Sequence, residues 1–524
     1  MNKNYSAQTP GVYIDEVNAF PNSAVEVATA VPAFVGYTPQ ASYEGQPYTN
    51  KATRITSLQE FQTIFCYPAD PTTNTTPKQY APNFALTKQK AAPAAGKYYN
   101  FGGDIYTLQP DQSTIYYMYN MVQSYFQNGG SIAYIVSVGG YGPATGDITA
   151  AGAQPQNGNV MVKDLENGLA LLNKVDEVTM YVIPEASLLA PADNSTLMEL
   201  ALEQANTMQT SMAIFDIIGG WEPDPIMWPT SITNFRNATG NNFLKYGCSY
   251  WPYLNSTIMT IDQFDYTNLN GGDVSTLDPI LNPPSSPNPT VASILSGIQA
   301  GNDQTVAQNN AALLQASPTY KQLMGLIQGL ANILPPSGTM AGVWALTDNT
   351  VGVFKAPANV TPIGVSSVTL PIDDAEQAGL NVDAVSGKSV NAIRFFNGQG
   401  ILVWGARTLD GNSQDWRYIN VRRAMIMIQQ SIKNSVEAYV FEPNTAKTWL
   451  KVKTSIDNFL TDLWRAGTLA GGTPSQAFEV NVGLGNTMTP VDILDGIMRI
   501  SVKVAITRPA EFIEITFEQK MQES

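Results

Sequence analysis

Residues 115–138 read IYYMYNMVQSYFQNGGSIAYIVSV, and the fold class turns on how this stretch divides. From Ile115 to Phe126 apolar and aromatic residues recur at helical spacing. Asn128-Gly129-Gly130 stops that run, and Ile132 to Val138 is a short apolar, β-branched segment suited to a buried strand. The alternation continues downstream: Leu165 to Leu172 is helical, Val178 to Ile183 is a strand ended by Pro184, Leu197 to Met208 is helical, and Met212 to Ile218 is a strand. Helix and strand taking turns at this interval predict a mixed α/β core with a largely parallel sheet. Upstream, Gly11 to Val17 follows Pro10 as a β-branched run, and Ala33 to Tyr37 is a second strand candidate.

Two stretches depart from this pattern. Residues 39–103 shift toward Thr, Asn, Pro, Lys and Ala and read as a surface elaboration. Residues 255–334 contain the linker-like Asn282 to Pro289 and a helix whose apolar face carries Leu323, Leu326, Ile327, Leu330, Ile333 and Leu334, which reads as an inserted outer module. Beyond it Val343 to Leu346 and Ile401 to Trp404 are expected strands. Two long helices follow, one with Val421, Met425, Ile428, Ile432 and Val436 in its stripe. The other is capped by Asn444, carries Trp449, Val452, Ile456, Phe459 and Leu463, and ends at Gly467. At the carboxyl end Ile500, Val502, Val504 and Ile506 alternate with polar residues, Arg508-Pro509 breaks the strand, and a second alternation places Ile513, Ile515 and Phe517 on one face. A strand set off by proline pairs either with its own sheet or with an edge on a neighbour.

The composition excludes whole classes of function. Of 524 residues, 28 are basic and 43 acidic, for a net charge of -15, and no basic cluster of the kind that binds phosphate backbones is present. Nucleic acid is therefore not an expected partner, and neither is direct membrane insertion, since no eighteen-residue apolar run occurs. With no histidine, Ser/His/Asp and Cys/His catalysis and His-ligated zinc are unavailable. Cys66 and Cys248 form no metal or redox spacing and read as two buried free thiols in a protein made in the cytoplasm, without an export signal at its amino end. Charged residues are only 14%, so much of the surface is uncharged and easily desolvated, which permits assembly.

The motifs that suggest chemistry are weak. Gly387-Lys388-Ser389 lacks the upstream glycine of a phosphate loop, with Val382 in its place, and Asp410 to Asp415 lacks the alternation and closing glutamate of a calcium loop. Both read as turns, so neither a cofactor nor a metal is expected. Asp15-Glu16, Asp176-Glu177 and Asp373-Asp374 are adjacent pairs that point to opposite faces if extended. Glu222 and Asp224, beside Trp221 and Trp228, are the best site for the alternative reading, a carbohydrate-active enzyme or adhesin.

Several longer motifs agree on a different reading. Leu334-Pro-Pro-Ser-Gly-Thr-Met-Ala-Gly-Val-Trp-Ala345, Thr347-Asp348, Gly352-Val-Phe-Lys-Ala-Pro-Ala-Asn359, Val403-Trp-Gly-Ala-Arg-Thr-Leu409, Trp416-Arg-Tyr-Ile-Asn-Val-Arg-Arg423, Phe441-Glu-Pro-Asn444 and Pro509-Ala-Glu-Phe512 occur in this order. Thr9-Pro-Gly-Val-Tyr13, Asn128-Gly-Gly130 and Tyr250-Trp-Pro-Tyr253 precede them. Together they resemble the contractile tail sheath proteins of phages and phage-like injection systems. The resemblance implies a non-enzymatic structural subunit that stacks around an inner tube protein as a homo-oligomer, meets baseplate and terminal cap proteins, and contracts to drive the tube through a target envelope. It implies assembly in the bacterial cytoplasm and incorporation into a virion tail or a released particle. It also implies terminal arms that add strands to neighbours, here Val12, Tyr13, Ile14 and Val17 at one end and Phe512, Ile513, Ile515 and Phe517 at the other. Lys447, Lys451 and Lys453 on the second long helix are the candidate tube contact, with a solvated helix face as the competing reading. The expected divisions are an amino-terminal arm and first strands (1–38), the elaboration (39–103), an α/β part (104–254), the outer module (255–334), a carboxyl-terminal core (335–507) and an arm (508–524).

Overall fold

The computed structural model describes residues 24–72 and 76–514, which form two compact units: 28–427 with the segment from 508, and 428–507 with the residues up to 27. Among the described residues, the larger unit is built on an eight-stranded sheet of β1 (Pro32–Tyr37), β2 (Ala52–Ile55), β3 (Ala133–Gly139), β4 (Met180–Val182), β5 (Met212–Asp216), β6 (Gly247–Trp251), β7 (Asn391–Phe396) and β8 (Gly400–Trp404). The spatial order is β8-β7-β6-β5-β4-β1-β3-β2, with the inner strands parallel and the two edge strands antiparallel. The result is the mixed α/β architecture that the alternating pattern predicts. Every residue of β1 and β5 is buried, as expected of strands covered on both faces.

Helices cover the sheet because side chains alternate along each strand. On β1, Phe34 meets Tyr125 of helix α1 (Met118–Gln127), with ring centroids 5.5 Å apart. Its neighbour Val35 points the other way, 2.7 Å from where a Cβ on Gly168 would sit, in helix Val162–Leu171. A second helix, α2 (Ser337–Thr350), lies against α1. A Cβ on Gly338 would come 2.9 Å from the Met121 carbonyl oxygen, and one on Gly342 would come 2.7 Å from that of Tyr125. The glycines of the Ser337–Ala345 motif thus let two helix backbones touch, and Ser124 and Thr339 close a hydrogen bond of 2.6 Å across the contact.

This corrects one expectation: Val343 to Leu346 lies inside α2 and is not a strand. The run is apolar all round because α2 is buried, and a short run without a period does not distinguish a buried helix from a buried strand. Residues 39–103 are also more than a surface elaboration. They supply β2, and the helix Leu58–Phe65 puts Phe61 and Phe65 in the core. The strand Phe84–Gln89 is tied to residues 255–334 through a bridge at Leu269, the Lys78–Asp265 ion pair at 2.8 Å, and a bond from the Leu86 amide to Asn270. In that region the helix Pro318–Ala331 buries Leu323, Ile327 and Leu330.

Helix α3 (Ile419–Glu437) carries the chain into the smaller unit, where α4 (Ala446–Arg465) packs its Val452, Ile456, Phe459, Leu460 and Leu463 face on a two-stranded antiparallel sheet of β9 (Phe478–Val482) and β10 (Ile500–Val504). The cap of α4 is Thr445 and not Asn444, whose oxygen instead accepts the Trp449 indole N–H at 2.6 Å. Gly467, at φ 88°, follows the helix end in the left-handed conformation that favours glycine.

Candidate assembly surfaces and the carboxyl-terminal anchor

In open α/β sheets ligands bind beyond the carboxyl ends of the parallel strands, where the chain order reverses. Here that point lies at β1, flanked by β3 on one side and β4 on the other. It is filled from within. Glu185, just after β4 and fully buried, accepts the N–H groups of Tyr117 and Met118 at 3.1 and 2.8 Å, the amino end of α1. Gly36 leaves room for it, since a Cβ there would fall 2.1 Å from Glu185 Oε2. Asp216, at the end of β5, does the same for α2, accepting the Ser337 amide at 2.9 Å and its hydroxyl at 2.5 Å. The positive helix ends that hold phosphate in other proteins of this topology are taken up here by the chain's own carboxylates.

Burial pushes both carboxyl groups up to about 7, against the hydrogen bonds that favour their charged forms. An acid with a raised folded-state pKa keeps a proton that the unfolded chain has already released, so its contribution to stability is full below the unfolded value near 4 and fades as pH rises toward 7. Denaturation of the monomer at pH 5 and pH 8 is expected to show this loss. Glu185→Gln, which cannot ionise, is expected to shrink the difference by up to about 3 kcal/mol. An unchanged difference would mean that Glu185 is ionised in the fold at both pH values.

At the sugar-site alternative, Trp221, Glu222 and Asp224 line a cavity of about 480 Å³. Trp221 and Trp228 are core residues, Glu222 accepts the backbone N–H groups of Lys97 and Gly152 at 3.1 and 3.2 Å, and Asp224 caps Ile226 and Met227. Gly387-Lys388-Ser389 follows a turn at 384–386, and its buried Lys388 donates to the Arg236 carbonyl near the end of helix Trp228–Ala238. Cys66 and Cys248 are free and buried, as expected. Burial pushes the Cys66 thiol up to about 12, which makes it unreactive.

The late sequence block builds two arginine sites that the one-dimensional reading missed. Arg423 forms a forked pair with Asp348 at 2.8 and 2.5 Å, donates to the Thr29 carbonyl and lies over the Trp344 ring, with both charged side chains 3% exposed. Arg407 reaches the carboxyl-terminal segment: it grips both oxygens of Glu511 at 2.6 to 3.1 Å, while Asn381 and the Tyr418 hydroxyl donate to the same carboxylate at 2.8 and 3.1 Å. Burial alone would raise the Glu511 carboxyl, but these donors outweigh it and hold it below the usual carboxylate range. Immediately beyond, Phe512 and Ile513 are 73% and 77% exposed, and residues 508–514 join no strand.

Ile515 and Phe517, like Val12, Tyr13, Ile14 and Val17, lie outside the described residues. In the smaller unit, β9 and β10 pair with each other, and over these strands neither outer edge pairs with another among the described residues. Of the three lysines, Lys447 and Lys451 are exposed on α4, with exposed Leu450 between them. Lys453 is instead held within its own unit by Asp457 at 3.1 Å and the Val480 carbonyl at 2.6 Å.

The larger unit is thus a doubly wound core whose crevice is filled from within, residues 508–514 join no strand, and β9 and β10 form a two-stranded sheet of their own. Residues 412–520 match the phage tail sheath C-terminal domain. The tail sheath protein of Vibrio phage KVP40 is 25% identical over 230 residues, 42% of this chain but only 32% of that protein, so the chain aligns with about a third of the length of this curated relative. The helical sheath of the anti-feeding prophage in its contracted state is 26% identical, with a TM-score of 0.57 over 98% of this chain and 99% of that one. A sheath complex of an extracellular contractile injection system, also contracted, has the same fold, with 24% identity and a TM-score of 0.56 over 98% of each chain. The chain is therefore similar over 412–520 to the tail sheath carboxyl-terminal domain and has, along nearly its whole length, the fold of contractile sheath subunits.

Proposed function

We propose that this protein is the structural subunit of a contractile sheath: it polymerises around an inner tube by exchanging terminal strands between subunits, and the lattice contracts to drive the tube through a target envelope. The observation that carries this reading is an exposed carboxyl-terminal segment whose sequence alternates as a strand does, together with a sheet in which β9 and β10 pair only with each other among the described strands, within a fold shared with contractile sheaths over nearly the full chain. A strand edge with unpaired N–H and C=O groups is a template for another chain, and the segment supplies the alternating side chains that such an edge takes up. Val12 to Val17 and Phe512 to Phe517 are the donated strands, and β9 with β10 is the acceptor. The partners are further copies of this chain, the inner tube protein, and the baseplate and cap that end the lattice. The subunit works by association alone, without cofactor, nucleic acid or membrane insertion, and assembles in the cytoplasm before the particle is released.

Lys447 and Lys451, with Leu450 between them, present the tube contact. Lys453 is a brace for β9 and stands apart from it. Co-expression with the cognate tube protein and electron microscopy tests the whole reading: the natural chain is expected to give striated tubes with cogwheel end views, and featureless protein would overturn it. Lys447→Glu with Lys451→Glu is expected to lower the number of decorated tubes by roughly tenfold without unfolding the subunit, because reversed charge repels a complementary surface. Unchanged decoration would move the tube contact elsewhere.

A further inference from the structure

A buried guanidinium is costly unless a carboxylate meets it, and in most of this chain both partners of such a pair belong to the packed body, as in Arg423 and Asp348. Arg407 is different. It is 4% exposed, its backbone is held by the Asn391 side chain at 2.7 and 2.8 Å, and its carboxylate partner comes from residue 511, on a segment with no strand pairing of its own. Three side chains converge on that carboxylate, and the very next residues are exposed and apolar. Arg508 adds a bond to the Gln414 carbonyl at 2.6 Å.

We propose that Glu511 is the take-off pin of the carboxyl-terminal arm, clamped by Arg407, Asn381 and Tyr418 so that the strand-forming residues begin at one fixed point on the subunit surface. This rests on the arm reading above and assigns the residue that positions it. An arm that detached at 511 would strand the Arg407 charge, so the chain pivots beyond the pin and not through it. A strand of residues 512–519 spans roughly 26 Å at about 3.3 Å per residue, so fixing its origin limits which edge it can reach. Glu511 is thus a positioning residue: it is bound by side chains of its own subunit, yet decides where a neighbour is met. The same fixed origin gives each joint of the lattice a defined pivot when subunits turn.

The test is a distance measurement on the full-length monomer, with nitroxides on Ile513→Cys and Ile226→Cys, both exposed in the larger unit, while the native thiols are buried. A narrow distance distribution is expected, becoming at least twofold wider in Glu511→Gln and in Arg407→Lys, which keeps charge but loses the fork. Sheath yield is expected to fall at least fivefold in both. The swap Arg407→Glu with Glu511→Arg is expected to recover the narrow distribution. A distribution that is broad from the start, or unmoved by Glu511→Gln, overturns the pin. Normal sheaths from a chain ending at Glu511 would instead overturn the arm reading while leaving the distance result to stand by itself.

Discussion

A chain cut after Glu511 is expected to remain a folded monomer and to form no sheath. The clamp on Arg407 stays intact in that variant, so no buried charge is exposed, and the residues removed make no strand pairing on their own unit up to residue 514. What is lost is an association that one arm can barely sustain. Burying Ile513, Ile515 and Phe517 contributes about 1.5 to 3 kcal/mol each, about 5 to 9 together. Ordering seven residues costs about 1 to 2 kcal/mol each, partly offset by about 1 kcal/mol for each new backbone hydrogen bond. A single arm is near balance. A lattice in which every subunit engages several neighbours forms each later contact at high effective concentration, so removing one contact per subunit collapses the whole. Monomer melting unchanged within about 1 kcal/mol, together with the absence of striated tubes in electron micrographs, is the expected pair of results. Tubes of ordinary length from the shortened chain would contradict it.

Asp348→Ala is expected to cost the larger unit about 3 to 5 kcal/mol, the largest effect of any single substitution considered, because it leaves Arg423 charged and without its counter-ion in the interior. Asp348 also accepts the Thr29 hydroxyl at 2.5 Å, so the same change frees the chain just before β1. Asp348→Asn, which keeps the shape and one acceptor, is expected to cost less. Replacing both partners with apolar residues, Asp348→Leu with Arg423→Met, is expected to recover most of the loss, since the burden lies in the unpaired charge. Urea denaturation followed by the summed fluorescence of the eight tryptophans reads this loss, and one of them, Trp344, lies under the Arg423 guanidinium at 4.6 Å. A loss below about 1 kcal/mol for Asp348→Ala would mean that water or another group reaches Arg423.

The inner strands were legible in the sequence because parallel strands covered on both faces are short apolar runs set between amphipathic helices, as at Ala33 to Tyr37 and Met212 to Ile218. Where burial is uniform the pattern is silent: α2 is buried on all sides from Ser337 to Ala345, so its Val343 to Leu346 run carries no period, and its signal is Gly338 and Gly342 at a spacing of four. Residues 39–103 read as an elaboration because their composition reflects their loops, while β2 and the Phe61–Phe65 face occupy only a few positions within them. The anchor was visible only as the motif Pro509-Ala-Glu-Phe512. Its partner Arg407 lies 104 residues earlier, and no local pattern links two residues at that separation. The internal stoppers Glu185 and Asp216 were likewise silent, since a lone carboxylate after a strand reads as solvated until the fold brings a helix end to it.

The central claim is that strands at both ends of the chain are shared between subunits, and an electron cryo-microscopy map of the assembled sheath at side-chain resolution tests it most directly. Density for residues 11–17 and 512–519 is expected to run along the outer edges of β9 and β10 in neighbouring subunits, with each Glu511 still seated on the Arg407 of its own body. Density in which both segments return to their own subunit, leaving neighbours in contact through side chains alone, would contradict it.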